Sequence, residues 1–376
     1  MNLEHADVVV VGSGIVGLAH AYAAARKGLD VVVLERSHGA RGASIRNFGL
    51  IWPIGQPPGP ALEMALRSRE IWLEVLEQTA LPHWRTGSLH LAYRADEEAV
   101  GREFADLGPK LGYACQWMEA PGVTSLSDAA NPEGLRGALY STTEMTVDPR
   151  VAMAKLPAFL TERYGVDFRF STPALAVGAG KVETPRGSWS AGHIIVCSGD
   201  DLESLYPEAL EQAGLQRCKL QMMRTFQQPD GWLLGPALAG GLTMRYYPSF
   251  EICSNLEALR QRITAQMRGY ERWGIHVMVS QTMQGEVTIG DSHEYGPVDV
   301  FDKPEIDELI LDYLHAMARF PILEIAQRWH GVYARHPEDP YVRLRPEAGV
   351  EIVTGLGGAG MTLCFGLAEE TVEGMG

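Results

Sequence analysis

Three glycines near the start of the chain have the spacing that phosphate binding requires. Gly12, Gly14 and Gly17 follow an uninterrupted β-branched run from Val8 to Val11. Gly12 permits a tight turn, Gly14 lets the backbone approach a pyrophosphate, and Gly17 lets the next helix pack closely on the strand. The unpaired N–H groups and the dipole at that helix N-terminus favour an anion. The spacing therefore predicts a site for the pyrophosphate of a dinucleotide.

A carboxylate stands where the ribose of such a dinucleotide would lie. Glu35 follows a second apolar strand, Val31 to Leu34, and an acid about 20 residues past the glycines accepts hydrogen bonds from a ribose diol. Glycine-rich turns also occur in phosphate-free strand–helix–strand units. Here strand, glycines, helix, strand and acid follow in order within a unit of about 30 residues, which favours dinucleotide binding.

A second glycine-rich turn lies close to the C-terminus. Residues 350–370 contain an apolar strand, then Gly355, Gly357, Gly358 and Gly360, then helix-forming residues. This pattern predicts another helix N-terminus presented by a glycine turn. The positive end of its dipole would face a developing negative charge.

The elements that position these turns are predicted from hydrophobic periodicity. The run Val8–Val11 lacks polar alternation, which indicates a strand buried on both faces in the centre of a parallel sheet. An alanine-rich helix runs to about Lys27 and ends at Gly28. A second helix is predicted over residues 60–78. Asp148 is predicted to cap a further helix.

From about residue 217 the pattern becomes that of a large antiparallel sheet. Its predicted strands cover residues 218–226, 242–247, 275–281 and 286–290. Lys219 and Arg224 are expected to face solvent, and the region from residue 112 to about 132 is expected to hold only loops. The strand that precedes Cys197, Ser198 and Gly199 ends in small residues, which let the chain contact a cofactor a second time.

Net charge and cysteine usage exclude several classes of protein. The formal net charge of −15 argues against a nucleic acid or an anionic membrane as a partner. Five widely spaced cysteines without a CxxC pair indicate free thiols in a reducing compartment and no metal site. The first apolar run has no basic region before it and is interrupted by glycines, so it indicates neither a signal peptide nor a membrane span. The expected location is the cytoplasm.

Taken together, the motifs resemble the D-amino acid oxidase superfamily of FAD-dependent amine oxidoreductases, which includes glycine oxidase and monomeric sarcosine oxidase. The motifs that carry the resemblance are VVVVGSGIVG at 8–17, RGASIRN at 41–47, VDP at 147–149, HIIVCSG at 193–199 and TGLGGAGMTLCFGLAEE at 354–370. Two shorter runs, SIRNFGLIWPIGQP at 44–57 and WHGVYARHPEDPYV at 329–342, are similar to a bacterial subgroup associated with phosphonate breakdown.

The resemblance implies an α/β fold, α+β overall, in which a Rossmann-like FAD-binding domain is interleaved with a substrate domain built on the large antiparallel sheet. The FAD-binding domain would comprise residues 1–83, 145–215 and 326–376, and the substrate domain residues 84–144 and 216–325. Carried onto this sequence, the FAD-binding residues would be Gly12, Ser13, Gly14, Ile15, Val16, Gly17, Glu35, Arg36, Arg41, Ala43, Ser44, Asn47, Gly49, Leu50, Ala174, Cys197, Ser198, Gly199, Gly357, Gly358, Ala359, Gly360, Met361 and Thr362.

Two departures from the family pattern affect the substrate and the flavin attachment. Glycine and D-amino acid oxidases carry Trp-x-Gly-x-Arg-Pro on a returning strand, and this arginine binds the substrate carboxylate. Here Tyr333 takes the place of the arginine. Monomeric sarcosine oxidase attaches its flavin through a cysteine in the same region, and no cysteine lies between Arg328 and Tyr341. The FAD is therefore predicted to be non-covalent.

The subgroup resemblance implies a small-molecule amine substrate of the 2-aminoethylphosphonate type, including N-methylated forms. A phosphonate needs several donors from different directions, whereas a carboxylate suits one planar arginine. The predicted substrate-site residues are Arg46, Arg245, Tyr247, His293, Tyr333, Arg335 and His336, with Arg245 and Tyr247 on a strand over the flavin. Hydride transfer needs no acid–base residue, so none is nominated.

Several alternatives remain open at this stage. One is a glycine, sarcosine or D-amino acid oxidase or dehydrogenase. A nicotinamide-dependent dehydrogenase would lack the yellow colour of flavin, and a flavin protein with a structural or RNA-modifying role is disfavoured by the acidic charge. The sequence decides neither the electron acceptor nor the oligomeric state.

Overall fold

The computed structural model describes residues 3–375, which form layered sheets and helices. The strands are β1 (Leu3–Val11), β2 (Val31–Leu34), β3 (Leu50–Ile51), β4 (His83–Trp84), β5 (Ser88–Ala92), β6 (Cys115–Glu119), β7 (Gly137–Ser141), β8 (Met145–Val147), β9 (Asp167–Arg169), β10 (Ala176–Gly178), β11 (Lys181–Thr184), β12 (Gly187–Val196), β13 (Gln216–Thr225), β14 (Ala237–Ala239), β15 (Met278–Gln281), β16 (Val287–Gly290), β17 (Glu294–Tyr295), β18 (Ile325–Arg335), β19 (Val342–Glu347) and β20 (Val350–Thr354). The helices are α1 (Ile15–Arg26), α2 (Pro60–Thr79), α3 (Ala95–Leu107), α4 (Ala120–Leu126), α5 (Pro149–Tyr164), α6 (Pro207–Gln212), α7 (Gly241–Met244), α8 (Leu256–Gln266), α9 (Arg268–Arg272), α10 (Pro304–Met317) and α11 (Gly360–Glu373). Single 3₁₀ turns cover Ala43–Ile45, Pro53–Gly55, Gly108–Leu111, Pro248–Ile252 and Gly357–Ala359.

The first sheet has the parallel centre that the sequence predicts. β1 lies between β12 and β2 and is parallel to both, and β20 is parallel to β12 on its far side. The run Val8–Val11 is buried, because helices and connecting segments cover both faces of this sheet. Helices α1 and α11 pack against each other beside it, and the fully buried Trp72 of α2 contacts Phe365 of α11 edge to face.

The second sheet is mainly antiparallel, as expected, and helices α3, α4, α7 and α10 pack against its strands. Its longest pairing joins β13 to β18, and β13 also pairs with β16 and β17. One pair, β5 with β14, is parallel. Strands β3, β8 and β4 form a separate, short three-stranded sheet. These sheets confirm the predicted fold class.

The division of the chain into two interleaved domains stays a prediction. Residues 3–34, 167–196 and 342–354 supply strands to the first sheet, and residues 88–141 and 216–335 supply strands to the second. β18 pairs with β13 in the second sheet, although the predicted boundary gives residues from 326 onward to the first domain.

Three local expectations are wrong. Residues 242–247 do not form a strand, because they begin within helix α7 and continue into a turn. The region before residue 132 holds β6 and α4 rather than loops alone. Lys219 and Arg224 do not face solvent: both are buried, and they pair with Asp302 at 3.0 Å and Glu286 at 3.2 Å respectively.

No helix within residues 3–375 combines the length and apolar character needed to cross a membrane.

Asp148 caps α5 as predicted, and its removal should destabilise the fold. Its Oδ1 accepts hydrogen bonds from the backbone N–H groups of Arg150 at 2.9 Å and Val151 at 3.4 Å. Asp148→Ala should lower the free energy of unfolding by about 1 kcal/mol, whereas Asp148→Asn, which keeps an acceptor oxygen, should lose only a few tenths. Urea denaturation followed by far-UV circular dichroism measures this difference. Equal midpoints for the Ala variant and the wild type would contradict the capping role.

Candidate functional site

The glycines of the β1–α1 turn stand where backbone segments meet too closely for side chains. A Cβ added at Gly12, whose φ is +105°, would lie 2.4 Å from the carbonyl oxygen of Cys197. A Cβ at Gly17 would lie 2.0 Å from the carbonyl oxygen of Gly12. Both distances are impossible for a real side chain, so the turn is packed directly against the end of β12. Gly14 begins α1, with Ser44 Oγ 3.2 Å from an added Cβ.

Glu35 organises the loop that follows β2. Its Oε2 accepts hydrogen bonds from the backbone N–H and the hydroxyl of Ser13, at 2.9 and 3.0 Å, and its Oε1 accepts one from the backbone N–H of Ser37 at 2.8 Å. An ionised carboxylate offers about four lone-pair sites. One therefore remains for a ribose hydroxyl, and the side chain also holds the turn in shape.

Ser44 acts on the helix N-terminus. Its Oγ accepts a hydrogen bond from the backbone N–H of Ile15 at 2.9 Å, which satisfies one of the free donors in the first turn of α1. Its own hydroxyl hydrogen remains available to a phosphate oxygen. The neighbouring Asn47 closes the same loop, since its side chain bonds Ala43 O at 2.8 Å and Gly49 N at 2.7 Å.

The C-terminal glycine turn is held by hydrogen bonds to the N-terminal half of the chain. The hydroxyl oxygen of Thr362 accepts a hydrogen bond from the backbone N–H of Trp52 at 2.9 Å, and the indole of Trp72 donates to the carbonyl of Met361 at 2.8 Å. Gly357 has a φ of +56°. The N-terminus of α11 is thereby fixed beside the N-terminus of α1.

Both turns open into one cavity of about 800 Å³. Most of the residues predicted to bind FAD line it: Gly12, Gly14, Ile15, Val16, Glu35, Arg36, Arg41, Ala43, Ser44, Asn47, Ala174, Cys197, Ser198, Gly199, Gly357, Gly358, Ala359, Gly360, Met361 and Thr362. A cavity of this size, with two glycine-built helix N-termini and a ribose-type carboxylate, fits a dinucleotide with two phosphates and a ring system. These residues would hold FAD.

Four predicted FAD contacts do not line the cavity. Ser13 is buried and turned toward Glu35. Gly17 packs against Gly12, and an added Cβ at Gly49 would lie 1.8 Å from the carbonyl oxygen of Val147. Leu50 is buried in β3. Each serves the packing of the site rather than its surface.

Cys197 is the cysteine that the described part of the chain places on the cavity wall. It is buried, and burial raises the pKa of its thiol. A thiol that stays protonated is a poor nucleophile. This chemistry agrees with the prediction of a non-covalent flavin.

Six of the seven predicted substrate-site residues line the cavity: Arg46, Tyr247, His293, Tyr333, Arg335 and His336. The exception is Arg245, which follows helix α7 instead of lying on a strand. Its Nη2 donates to the carbonyl oxygens of Tyr270 and Ile275, both at 3.3 Å. Its guanidinium is therefore directed toward the backbone behind the wall, and its expected contact with substrate is not supported.

Arg335 and His336 make hydrogen bonds within their own loop, and Arg335 also bonds to β17. Arg335 donates to the hydroxyl of Tyr295 at 3.0 Å and to the carbonyl of Pro337 at 3.0 Å. His336 Nδ1 accepts from the backbone N–H of Asp339 at 2.9 Å. Both side chains shape the loop that follows β18. Hydrogen bonds engage three of the five N–H groups of Arg335, and His336, whose Nδ1 accepts, carries its ring proton on Nε2.

The side chains of Arg46 and Tyr333 make fewer hydrogen bonds within the described residues than those of Arg335 and His336. Within residues 3–375, the guanidinium of Arg46 has a single hydrogen bond, a long one of 3.4 Å from Nη1 to the carbonyl of His330. The Tyr333 hydroxyl lies 3.8 Å from a Cβ built on Gly358, so it reaches the turn that begins α11. Burial raises the pKa of Tyr333 well above its ordinary value, and the hydroxyl remains a donor.

The same wall carries a cluster of polar and aromatic residues, of which His293 was predicted from the sequence and His276 and Asp291 were not. His276 and Asp291 exchange both backbone N–H···O bonds, at 3.2 and 2.9 Å, so their side chains stand side by side on one face. His276 Nε2 lies 3.3 Å from Asp291 Oδ1. Polar atoms of His276, Asp291 and His293 all lie within 4.8 Å of one another. The clue in the sequence was the group of polar residues directly after the strand at 286–290.

Aromatic rings enclose this cluster. The ring of Tyr246 lies 4.5 Å from that of His276, and the two imidazoles of His276 and His293 stack at 5.0 Å. Burial lowers the pKa of His276 well below its ordinary value and that of His293 to about 4. Burial also raises the pKa of Asp291 well above its ordinary value. Both imidazoles are neutral near pH 7, and the carboxyl holds a proton more firmly than an exposed one. Trp52 and Tyr295 also line this end of the cavity.

Replacing Glu35 should weaken dinucleotide binding. Glu35→Ala removes a charge-assisted hydrogen bond to the ribose and frees the Ser13 turn, so the affinity for FAD should fall by about 1.5–3 kcal/mol. Glu35→Gln keeps the shape and should lose less. Titration of flavin-free protein with FAD, followed by quenching of flavin fluorescence, measures both affinities. An unchanged dissociation constant for the Ala variant would contradict the assignment.

Comparisons with known proteins agree with this geometry. Glycine oxidase of Bacillus licheniformis is 22% identical over 357 residues, which cover 91% of this chain and 85% of that protein. Monomeric sarcosine oxidase of Bacillus sp. (strain B-0618) is 26% identical over 209 residues, which cover 52% of this chain and 51% of that protein. The crystal structure of glycine oxidase from Geobacillus kaustophilus has a TM-score of 0.76 at 18% identity, over 98% of this chain and 95% of that one; at this identity it shows a shared fold.

A family model described as "FAD dependent oxidoreductase" matches residues 7–374. This range includes both glycine turns, Glu35 and the wall that carries Tyr333. The chain belongs to this family of FAD-dependent oxidoreductases.

Proposed function

We propose that this chain oxidises the C–N bond of a small amine that carries an anionic group, and that the anion is held by Arg46. Glycine oxidase and monomeric sarcosine oxidase, by their names, act on small amines of this kind. Bound FAD would accept the hydride from the carbon next to nitrogen, and water would hydrolyse the resulting imine. The chain's own residues bind and orient the amine and exclude water.

The observation that carries the proposal is the guanidinium of Arg46, which lines the cavity and, among the described residues, makes a single long hydrogen bond, to the carbonyl of His330. Its backbone oxygen accepts from the indole of Trp329 at 3.3 Å, so the residue lies against β18. Tyr333 stands further along the same strand. An anion between them would receive a charged donor and a hydroxyl.

For the anion itself, the wall favours a phosphonate. Tyr333 occupies the position from which an arginine would bind a carboxylate with two parallel bonds, and a phenol cannot supply that pair. The donors here, Arg46 and several tyrosines, come singly and from separate elements. Three tetrahedral oxygens suit such an arrangement better than a planar carboxylate. We therefore propose an aminoalkylphosphonate, 2-aminoethylphosphonate or its N-methyl derivative, as the substrate.

A second candidate is the oxidation of glycine or sarcosine. It is favoured by the curated relatives, which include both glycine oxidase and sarcosine oxidase. The two candidates share the reaction and differ in the anion.

A panel of matched amines separates the candidates. 2-Aminoethylphosphonate and its N-methyl derivative should show a higher kcat/KM than glycine, sarcosine or D-alanine, because only the phosphonate engages all the separate donors. Steady-state assays with an artificial electron acceptor measure this without assuming that oxygen reoxidises the flavin. A clear preference for the carboxylates would overturn the phosphonate assignment and leave the glycine or sarcosine reaction.

Arg46 is tested by comparing substrates with and without the anion. Arg46→Gln should lower kcat/KM for the best anionic amine by at least about 2 kcal/mol in transition-state stabilisation, roughly 30-fold, because the anion loses its charged partner. Arg46→Lys should lose less, since it keeps the charge. Ethylamine, which lacks the anionic group, serves as the control and should lose little in either variant. Equal losses for ethylamine and the anionic amine would mean that Arg46 does not bind the anion.

A further inference from the structure

We propose that Asp291 accepts the proton from the substrate's ammonium group, and that His276 positions the Asp291 carboxylate for this transfer. The inference rests on the proposed amine oxidation and adds to it a proton acceptor. It does not depend on whether the anion of the substrate is a phosphonate or a carboxylate.

The first observation is the placement of the two side chains. Asp291 directly follows β16 and His276 precedes β15, and their backbones pair across the sheet. Both line the cavity, although the residues are only 5% and 4% exposed. A carboxyl group and an imidazole thus stand together on the wall of the cavity that would hold FAD and substrate.

The second observation is an unsatisfied oxygen. Asp291 Oδ1 has no hydrogen bond partner among the described residues, since His276 Nε2, at 3.3 Å, is not aligned for a full bond. Nδ1 of His276 is likewise without a partner there. Buried polar atoms are rarely left in this state. A ligand N–H group directed at Oδ1 would satisfy it.

Hydride transfer itself needs no acid–base residue, but a substrate that binds as an ammonium must first give up a proton to an acceptor. An amine loses hydride from the adjacent carbon only when its nitrogen lone pair is free, whereas most small amines carry an extra proton near pH 7. In the proposed step the ammonium N–H bond breaks, and an O–H bond forms on Asp291. The freed lone pair would then be available to form the second bond of the imine, and bound FAD would supply the acceptor for the hydride that leaves carbon. No oxidant beyond FAD is required.

The surroundings make the carboxylate a fitting proton acceptor. Burial penalises the charged form of Asp291, so the carboxylate gains a proton readily. While the substrate enters, its ammonium charge compensates that penalty. The titratable and charged groups around the pair are His90, Cys218, Arg245, Tyr246, Tyr247, His293, Tyr295 and Tyr333. No other carboxylate is in this set, so no second acid competes for the proton.

His276 acts through Asp291. Its ring lies against the tilted ring of Tyr246 and stacks on that of His293, and His293 is itself fixed by the contact of Nδ1 with the carbonyl of Gly274 at 3.1 Å. An N–H of His276 at 3.3 Å from Oδ1 favours the ionised carboxylate electrostatically, and the ring limits the movement of the carboxylate. Loss of the imidazole should therefore raise the pKa at which Asp291 titrates.

The test is the pH dependence of flavin reduction in the holoenzyme, measured anaerobically by stopped-flow with whichever amine of the panel is oxidised best. The wild-type second-order rate constant should be bell-shaped in pH. It rises as Asp291 ionises and falls as the ammonium loses its proton in solution. The pH at which the rate constant falls should differ between two substrates whose amines differ in pKa, whereas the pH at which it rises should be the same.

The Asp291→Asn variant should lose the enzyme-controlled lower limb. Its rate constant should rise about tenfold per pH unit up to the pKa of the free amine, because only the small fraction of neutral amine can react. The pH at which the rate constant stops rising should then depend on the pKa of the substrate's amine. Asp291→Glu keeps a carboxylate and should restore a limb independent of the substrate. His276→Phe should shift that limb to higher pH.

Ligand binding gives a readout that needs no turnover. 2-Amino-2-methylpropylphosphonate, or 2-aminoisobutyrate if carboxylates prove to be the substrates, lacks a hydrogen on the carbon next to nitrogen. Its dissociation constant is measured from the change in flavin absorbance. In the wild type this constant should not depend on pH between the two limbs of the rate profile. In Asp291→Asn it should weaken about tenfold per pH unit below the pKa of the amine.

The outcomes separate the two proposals. If no amine of the panel reduces the flavin, the proposed function fails. If an amine is oxidised but wild type and Asp291→Asn, both loaded with flavin, show the same pH profiles for reduction and binding, the role of Asp291 is overturned. If Asp291→Asn does not retain flavin, the comparison of Asp291→Glu and His276→Phe with wild type decides: unshifted limbs in both reject the proposal.

Discussion

The parallel alignment of β1, β12 and β20 is the constraint on which the site depends. Parallel neighbours place their carboxyl ends at one edge of a sheet, so the turns that follow them must share the same space. The close packing of Gly12 against the carbonyl of Cys197 is the direct consequence. The α11 turn after β20 reaches the same edge, where Trp52 and Trp72 hold it. Two helix N-termini therefore face one cavity, although more than 300 residues of chain separate them.

Burial sets the chemistry at the other end of this cavity. Removing an ion from water still costs several kcal/mol in a real protein after relaxation, so the aromatic wall disfavours charge on His276 and Asp291 when nothing is bound. A ligand that brings its own positive charge changes this balance, because the carboxylate then gains a partner. In the proposed reaction the same wall would therefore favour a cationic nitrogen, while Arg46 would supply the complementary charge for an anion.

The parts of the fold that were predicted from the sequence depend on local patterns. The β-branched run of β1, the glycine spacing and the Asp148 cap each follow from a few neighbouring residues, and the structure confirms them. The segment 242–247 was assigned wrongly because a short apolar run fits a strand and a buried helical turn equally well. Its conformation is decided by tertiary contacts, such as the bonds from Arg245 to the carbonyls of Tyr270 and Ile275. The burial of Lys219 was not predicted for a related reason. Its ion-pair partner Asp302 is distant in the sequence, and only the fold brings the two side chains together.

The pair of His276 and Asp291 shows where sequence analysis reaches its limit. The two residues are brought together by cross-strand register, and a shift of one residue would turn each side chain to the opposite face. Register is fixed by the whole second sheet, in which Gly290 packs against Met222 and the Phe48 ring. The Phe48 carbonyl in turn accepts a hydrogen bond from Ser280 of β15 at 2.8 Å. The loop that carries Arg46 is thereby fastened to the strands that carry His276 and Asp291. If Arg46 and Asp291 act as proposed, one wall presents a cation for the acidic end of a substrate and a proton acceptor for its amine, and a small molecule bound to both would have its orientation defined before any chemistry begins.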